Sequence, residues 1–151
     1  MRDMIFTDLK PNNLEGALKA MVEFLKGKNI IHREKDIIER LIQREKLGST
    51  AISEGFAIPH CKIKGIKQPI VLMAISREGV DFNAIDAKPA HIFFLVLSAP
   101  ENPSLNLQIL AAIAHLIRKS KNFKKKIMGA DNISAIYDIV RQEEDKIYEQ
   151  E

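Results

Sequence analysis

A chain of 151 residues, 46% hydrophobic and 28% charged, has the size and texture of one soluble domain with a substantial core. Its formal charge of +3 is too small to argue by itself for nucleic acid, and its single cysteine excludes an intramolecular disulfide and fits a reducing compartment. No apolar run reaches the roughly 18 residues of a membrane span and the N-terminus has no apolar block of signal-peptide type, so a cytoplasmic protein without membrane insertion is expected.

The first periodic segment, NNLEGALKAMVEFLKG, sets Leu14, Leu18, Met21, Val22 and Leu25 at helical spacing, with Asn13 as N-cap and Gly27 as stop. REKDIIERLIQREKLG repeats the pattern, with Ile37, Ile38, Leu41 and Ile42 on one stripe and Gly48 as terminator. Two helices joined by a few residues read as an antiparallel pair. After Gly48, STAISEGFAIPH is short, β-branched and broken by glycine, which predicts brief extended segments. PIVLMAIS (69–76) and AHIFFLVLSA (90–99) are continuous apolar runs, as expected of strands buried on both faces. Between them REGVDFNAIDAKP is polar and turn-rich, and Pro89 opens the second run.

SLNLQILAAIAHLIRK (104–119) is helical by length and apolar nearly all round, which predicts a mostly buried helix. Two more helices follow: NFKKKIMG pairs Phe123 with Ile127, and NISAIYDIVRQ places Ile133, Ile136, Tyr137 and Val140 on one face. The acidic tail from Glu143 (143–151) is expected to fray. There is no internal repeat or long linker. The fold class is therefore α/β, a central mixed β-sheet sandwiched by helices, in a single domain over 1–151.

Four histidines are candidates for chemistry. His115 lies nine positions from Asn106, about 180° around a helix at 100° per residue, so it points away from the Asn106 face. His32 falls in the joint between the first two helices and His91 begins a strand; all three read as structural. No histidine pair has metal-ligand spacing on one element. Cys61 adjoins His60, and neighbours in an extended chain point to opposite faces, so the two cannot readily share a proton or a metal. There is no Gly-x-Ser-x-Gly elbow or glycine-rich phosphate loop. His60 differs in its setting: Pro59 fixes its own φ and holds Ile58 extended, so the backbone entering His60 is stiff. Residues alone leave two readings open, a ring aimed into a cleft or an inert histidine at a strand end.

The stretch LIQREKLGSTAISEGFAIPHCKIKG decides between them by likeness. It resembles the type-2 (mannitol/fructose, also nitrogen-regulatory) enzyme IIA domains of the bacterial phosphoenolpyruvate-dependent sugar phosphotransferase system. Arg44, Glu45, Gly48, Ser49, Thr50, Gly55, Ala57, Ile58, Pro59 and His60 match that pattern in order. GVDFNAIDAKPAHIFFLVLSAP is similar to the family's second signature, a Phe-x-Ala-x-Asp-x-x-Pro turn before a buried strand. The resemblance spans nearly the whole chain. It implies a phosphoryl carrier with His60 as acceptor, an HPr-like phosphocarrier as donor and a IIB cysteine as recipient. The alternative it implies is a nitrogen-branch regulator whose His60 phosphorylation controls binding to a target protein. No cofactor and no metal are implied.

Phosphoryl transfer asks a protein chiefly for positioning and for stabilised negative charge. Arg44 carries a permanent charge and a fork suited to phosphoryl oxygens, and lies about 90° from the middle of its helix's apolar stripe. Ser49 and Thr50 offer hydroxyls and equally suit a turn. Asn106 is expected in the first turn of its helix, where unpaired N–H groups favour an anion. There the chain departs from the family, whose members commonly carry a second histidine. An amide can donate a hydrogen bond but cannot become cationic, so one source of charge stabilisation is missing. RKSKNFKKK (118–126) reads as a solvated basic face, with an acidic docking partner as the alternative and nucleic acid disfavoured. Cys61 reads as a small filler.

Overall fold

The computed structural model describes residues 2–150. A 3-10 turn over Arg2–Met4 leads into β1 (Ile5–Phe6), then α1 (Leu14–Gly27) and α2 (Glu34–Leu47). Three short strands follow, β2 (Ala51–Ile52), β3 (Phe56–Ala57) and β4 (His60–Lys62), then the long strands β5 (Ile70–Val80) and β6 (Ala90–Ser98). The chain ends in α3 (Pro103–Lys119), α4 (Phe123–Met128) and α5 (Ile133–Gln150).

The sheet is mixed, in the order β1-β5-β6-β3-β2, with β4 also on β6. β5 and β6 run antiparallel at its centre, while β1 joins β5, and β3 and β4 join β6, in parallel. Both central strands are apolar on both faces because each face is covered. Leu72, Ala74, Phe93, Leu95 and Leu97 pack with Leu18, Met21 and Leu41 of α1 and α2. Their alternates Met73, Ile75, Ile92, Phe94 and Val96 pack with Ile113, Leu116, Phe123, Ile127 and Ile136 of α3 to α5. A period of two in the strands thus divides one apolar sequence between two cores, and the chain folds as the α/β sandwich that its pattern predicts.

Two helix caps follow the sequence, while α1 takes in Gly27, its expected stop, and is capped by Lys28. The Asn13 side-chain oxygen accepts the Gly16 N–H at 2.8 Å, and Gly48 terminates α2. Three further expectations are corrected. First, β5 runs on through the polar residues Arg77–Gly79 to Val80, across a register shift, with the Gly79 N–H donating to the Ser76 hydroxyl at 3.0 Å. The bulge turns out the Arg77 side chain, whose guanidinium donates to the carbonyls of Met128 and Ala130. Second, α3 is not mostly buried: only Asn106, Ile113 and Leu116 are, and Leu107 is 68% exposed. The helix rests on the sheet along a single stripe. Third, the tail expected to fray from Glu143 continues α5 to Gln150, because the Glu143 carboxylate is buried against the Lys126 ammonium and Ile147 packs into the second core. β1 escaped sequence reading altogether, since a two-residue strand has no period to detect.

Candidate functional site

His60 sits in an extended segment that β6 holds in unbroken register. Phe56 and Ala57 pair with Ile92 and Phe93, and His60, Cys61 and Lys62 pair with Val96, Leu97 and Ser98, the same offset throughout. The interruption at Ile58–Pro59 is chemical, since proline has no N–H to offer the ladder. Its carbonyl still accepts the Val96 N–H at 2.9 Å, and Ile58 instead donates its N–H to the Thr50 carbonyl at 3.1 Å. The backbone into His60 is therefore held from both sides.

Alternation separates the His60 and Cys61 side chains. Phe56 and Ile58 belong to the core under α3 to α5, so His60 faces that side, whereas Cys61 packs on the α1/α2 core. Burial pushes the Cys61 thiol up to about 12, far from a thiolate at neutral pH. The His60 ring is half-buried, with Nδ1 2.8 Å from the Ile58 carbonyl oxygen. A carbonyl can only accept, so in this hydrogen bond Nδ1 carries the proton and the neutral ring has its lone pair at Nε2.

Arg44, Ser49 and Thr50 are gathered at the sheet edge beside this segment. β2 pairs Ala51 with Ala57, and the Ile58–Thr50 hydrogen bond continues that register, which carries Gly48 toward His60 two residues on. Arg44 Nη1 donates to the Gly48 carbonyl at 2.8 Å, so the guanidinium is tied to that loop and keeps further N–H groups. The hydroxyls differ. Ser49 Oγ donates to the Phe82 carbonyl at 2.9 Å and accepts the Ala51 N–H at 3.0 Å. Thr50 Oγ1 donates to Glu45 Oε1, and the Thr50 N–H donates to Glu45 Oε2 at 3.0 Å. Both hydroxyl hydrogens are engaged in holding the loop, one to the carbonyl past β5 and one to α2. Glu45 is the positioning residue that sequence reasoning left without a role. A buried acid in the last turn of a helix opposes the helix dipole, and that misfit was the available signal.

Asn106 lies in the first turn of α3, as its fourth residue, but the helix N-terminus is already largely satisfied. Asn102 Oδ1 accepts the Leu105 N–H at 3.3 Å, Asn106 N–H donates to the Asn102 carbonyl at 3.2 Å, and Pro103 has no N–H. The expected row of unpaired amides shrinks to Ser104. The Asn106 side chain is buried, with Nδ2 donating to the Ala99 carbonyl at 2.8 Å and Oδ1 without a hydrogen-bond partner among the described residues. Ala99 is three residues past Val96, the partner of His60, or about 10 Å along the strand. Among the described residues no hydrogen bond joins Arg44, Ser49, Thr50 or Asn106 to His60 itself.

Two large apolar side chains flank these elements in the open: Leu47, 85% exposed at the end of α2, and Leu107 beside Asn106. Of the other histidines, His32 is exposed, His91 donates Nδ1–H to the Ser76 carbonyl at 2.9 Å, and His115 is half-buried on α3. Among the described residues no three of His, Cys, Asp and Glu converge as metal ligands, and no helix is long and apolar enough to cross a membrane.

Comparison with known proteins places this geometry. The family model described as "Phosphoenolpyruvate-dependent sugar phosphotransferase system, EIIA 2" matches residues 1–143. A nitrogen regulatory protein of Bradyrhizobium diazoefficiens is 36% identical over 142 residues, covering 91% of this chain and 89% of its own length. A fructose-specific EIIA component of Haloferax volcanii is 26% identical over 140 residues, covering 93% and 90%. The crystal structure of the nitrogen regulatory protein IIA-Ntr from Neisseria meningitidis superposes with a TM-score of 0.83 at 26% identity, over 93% of this chain and 94% of that one. Against the fructose-specific EIIABC component of Bacillus subtilis, 27% identical over 135 residues, the match covers 89% of this chain but only 21% of the relative.

Proposed function

Since the chain belongs to the EIIA 2 family of phosphotransferase-system components, we propose that Nε2 of His60 accepts a phosphoryl group from an HPr-like phosphocarrier and holds it for onward transfer. One observation carries the reading: the Ile58 carbonyl fixes the Nδ1–H tautomer and leaves Nε2 as the attacking atom. As Nε2 bonds to phosphorus, the bond from phosphorus to the donor breaks and its electron pair leaves with the donor. The ring keeps its Nδ1 proton and gains cationic character, which strengthens the hydrogen bond to Ile58. Arg44 stabilises the transferred oxygens. Ser49 and Thr50 serve the site by shaping the loop that presents Arg44, and Asn106 closes it from α3. Leu47 and Leu107 form apolar contacts for a docking protein. The whole chain acts as one IIA unit in the cytoplasm.

The recipient is either a IIB cysteine in sugar uptake or, in a regulatory role, a target whose binding follows the phosphorylation state. The higher identity to a nitrogen regulatory protein, and an amide where relatives commonly have a second histidine, favour the regulatory role. Incubation with phosphoenolpyruvate, enzyme I and HPr should add one acid-labile phosphoryl group, seen by intact mass and absent in His60→Ala. No modification with active upstream components would overturn the proposal. Loss of that group to a IIB domain would assign sugar uptake. Its retention, with phosphorylation-dependent capture of a target, would assign regulation.

A further inference from the structure

Away from His60, the face of the sheet under α3 and α5 carries a half-open cavity of about 840 Å³. Ligand pockets are concave, mostly apolar and a few hundred to about 1,000 Å³, and this groove has that size and character. Met73 and Phe94 form its floor, Ile113 and Leu116 its α3 wall, and Val140 and Ile147 its α5 wall. The buried stripe of α3, Ile113 and Leu116, is thus the part that faces this space.

The rim is charged and asymmetric. Tyr137 lines it, with the Arg2 guanidinium 5.2 Å from the ring centroid and the Arg141 guanidinium 5.9 Å away. Neither arginine has an ion-pair partner among the described residues. Asp3 and Glu144 also stand at the rim, and His115 lines it from α3. Partial burial first, then the adjacent Asp145, raises the Glu144 carboxyl and weakens its opposition to an anion. Arg141 also acts on the Glu144 carboxylate, but neither guanidinium is tied into a close ion pair among the described residues. An apolar chamber under two such groups fits an apolar body with an anionic head.

The geometry points to a binding site for a small amphipathic carboxylate of the acyl-chain class, coupled to the phosphoryl site through α3. The coupling rests on the proposed role of His60; the binding does not. Val71, on the cavity lining, pairs with Val96, and Val96 pairs with His60, so the two sites lie two strand spacings apart, about 10 Å. α3 covers both, with Asn106 anchored to Ala99 at one end and Ile113 and Leu116 on the cavity at the other. A ligand that seats or displaces α3 moves Asn106 with it.

Titration of the full chain with octanoate, decanoate and dodecanoate below their micelle concentrations tests the site. Affinity should tighten about 4-fold per added methylene, the burial of one CH₂ group. Decanol should bind about 10-fold or more weakly than decanoate, and Arg141→Gln should lose the same factor. Ala112→Trp, which fills the cavity from α3, should abolish binding; Val71→Phe does the same from the sheet should the first variant fail to fold. Equal binding of decanol and decanoate, or no binding of any of the three acids, would overturn the assignment, as would retention on anionic vesicles without binding of monomeric decanoate. Saturating decanoate should change the rate of His60 phosphorylation at least 2-fold. An unchanged rate in a protein that is phosphorylated would overturn the coupling. A protein that binds decanoate but is never phosphorylated would refute the role of His60 and leave the site standing.

Discussion

Glu45→Ala tests whether the loop beside His60 is held from α2. The carboxylate accepts two hydrogen bonds from one residue, the N–H and the hydroxyl of Thr50, and both residues are buried, at 8% and 7% exposure. Each bond to a charged acceptor contributes about 1.5–3 kcal/mol, and alanine leaves both Thr50 donors unpaired. Because water can reach the loop once the carboxylate is gone, the lower end applies, about 3 kcal/mol. For a domain near 150 residues that is a loss of roughly 6–12 °C in Tm. Urea unfolding should show a lower midpoint with an unchanged m-value. Thr50→Val removes only the hydroxyl donor and should cost about 1.5 kcal/mol. The double variant should fall short of the sum, since the two residues share a contact. Phosphorylation of Glu45→Ala, measured below its new Tm, should slow because the Gly48 carbonyl that anchors Arg44 is no longer fixed. A Glu45→Ala protein within 0.5 kcal/mol of the parent, or one with full phosphorylation rate, would refute this account of the loop.

Two further outcomes follow from the same reasoning. Asn106→Ala leaves the Ala99 carbonyl without its side-chain donor and should cost about 1–3 kcal/mol in urea unfolding, while Asn106→His should raise the phosphorylation rate below about pH 6.5, where the new imidazole charges. A rate in Asn106→His that ignores pH would place residue 106 outside the reach of the phosphoryl group. Burial alone would raise the Glu143 carboxyl, but the Lys126 ammonium, with Lys146 at 3.6 Å, holds it below the usual carboxylate range. Its contribution to stability is therefore present above the unfolded-state pKa near 4.5 and lost as pH falls through the lower folded value. Glu143→Gln should flatten that part of the acid limb of Tm against pH; an unaltered limb would mean the pair carries nothing.

The two-core sandwich was legible because its signals are periodic. Leu14 to Leu25 and Ile37 to Leu41 mark amphipathic helices, and the unbroken apolar runs of β5 and β6 mark strands covered on both faces. Extent was less legible. β5 continues through Arg77–Gly79 because a bulge lets polar residues stay in a strand, which alternation cannot foresee. The half-exposed α3 buries a single stripe, Ile113 and Leu116 with Asn106, and leaves Leu107 in the open, a division that an apolar sequence does not announce. At the site, Pro59 announced a stiff approach to His60, and the structure supplies that stiffness by hydrogen bonds on both sides. The engagement of Ser49 and Thr50 was not readable, since a hydroxyl in sequence shows its capacity and not its partner.

For the proposed function, the hydrogen bonds of Asn106 bear on whether this chain relays or signals. A second histidine there would be able to take positive charge as the phosphoryl group arrives, lowering the barrier in both directions. The amide instead donates to Ala99 and leaves Oδ1 buried without a hydrogen-bond partner among the described residues, so one donor is committed to the fold. An acceptor does not stabilise a phosphoryl oxygen, so if Asn106 reaches the group at all it does so with its one remaining N–H. Less charge stabilisation slows arrival and departure alike. A slow carrier is poorly suited to continuous flux into a transporter and well suited to holding a state long enough for a target protein to read it. The measured lifetime of the phosphorylated form in the presence of a IIB domain therefore separates the two roles more sharply than its yield: rapid loss belongs to a relay, and persistence over the turnover time of the upstream carrier belongs to a switch.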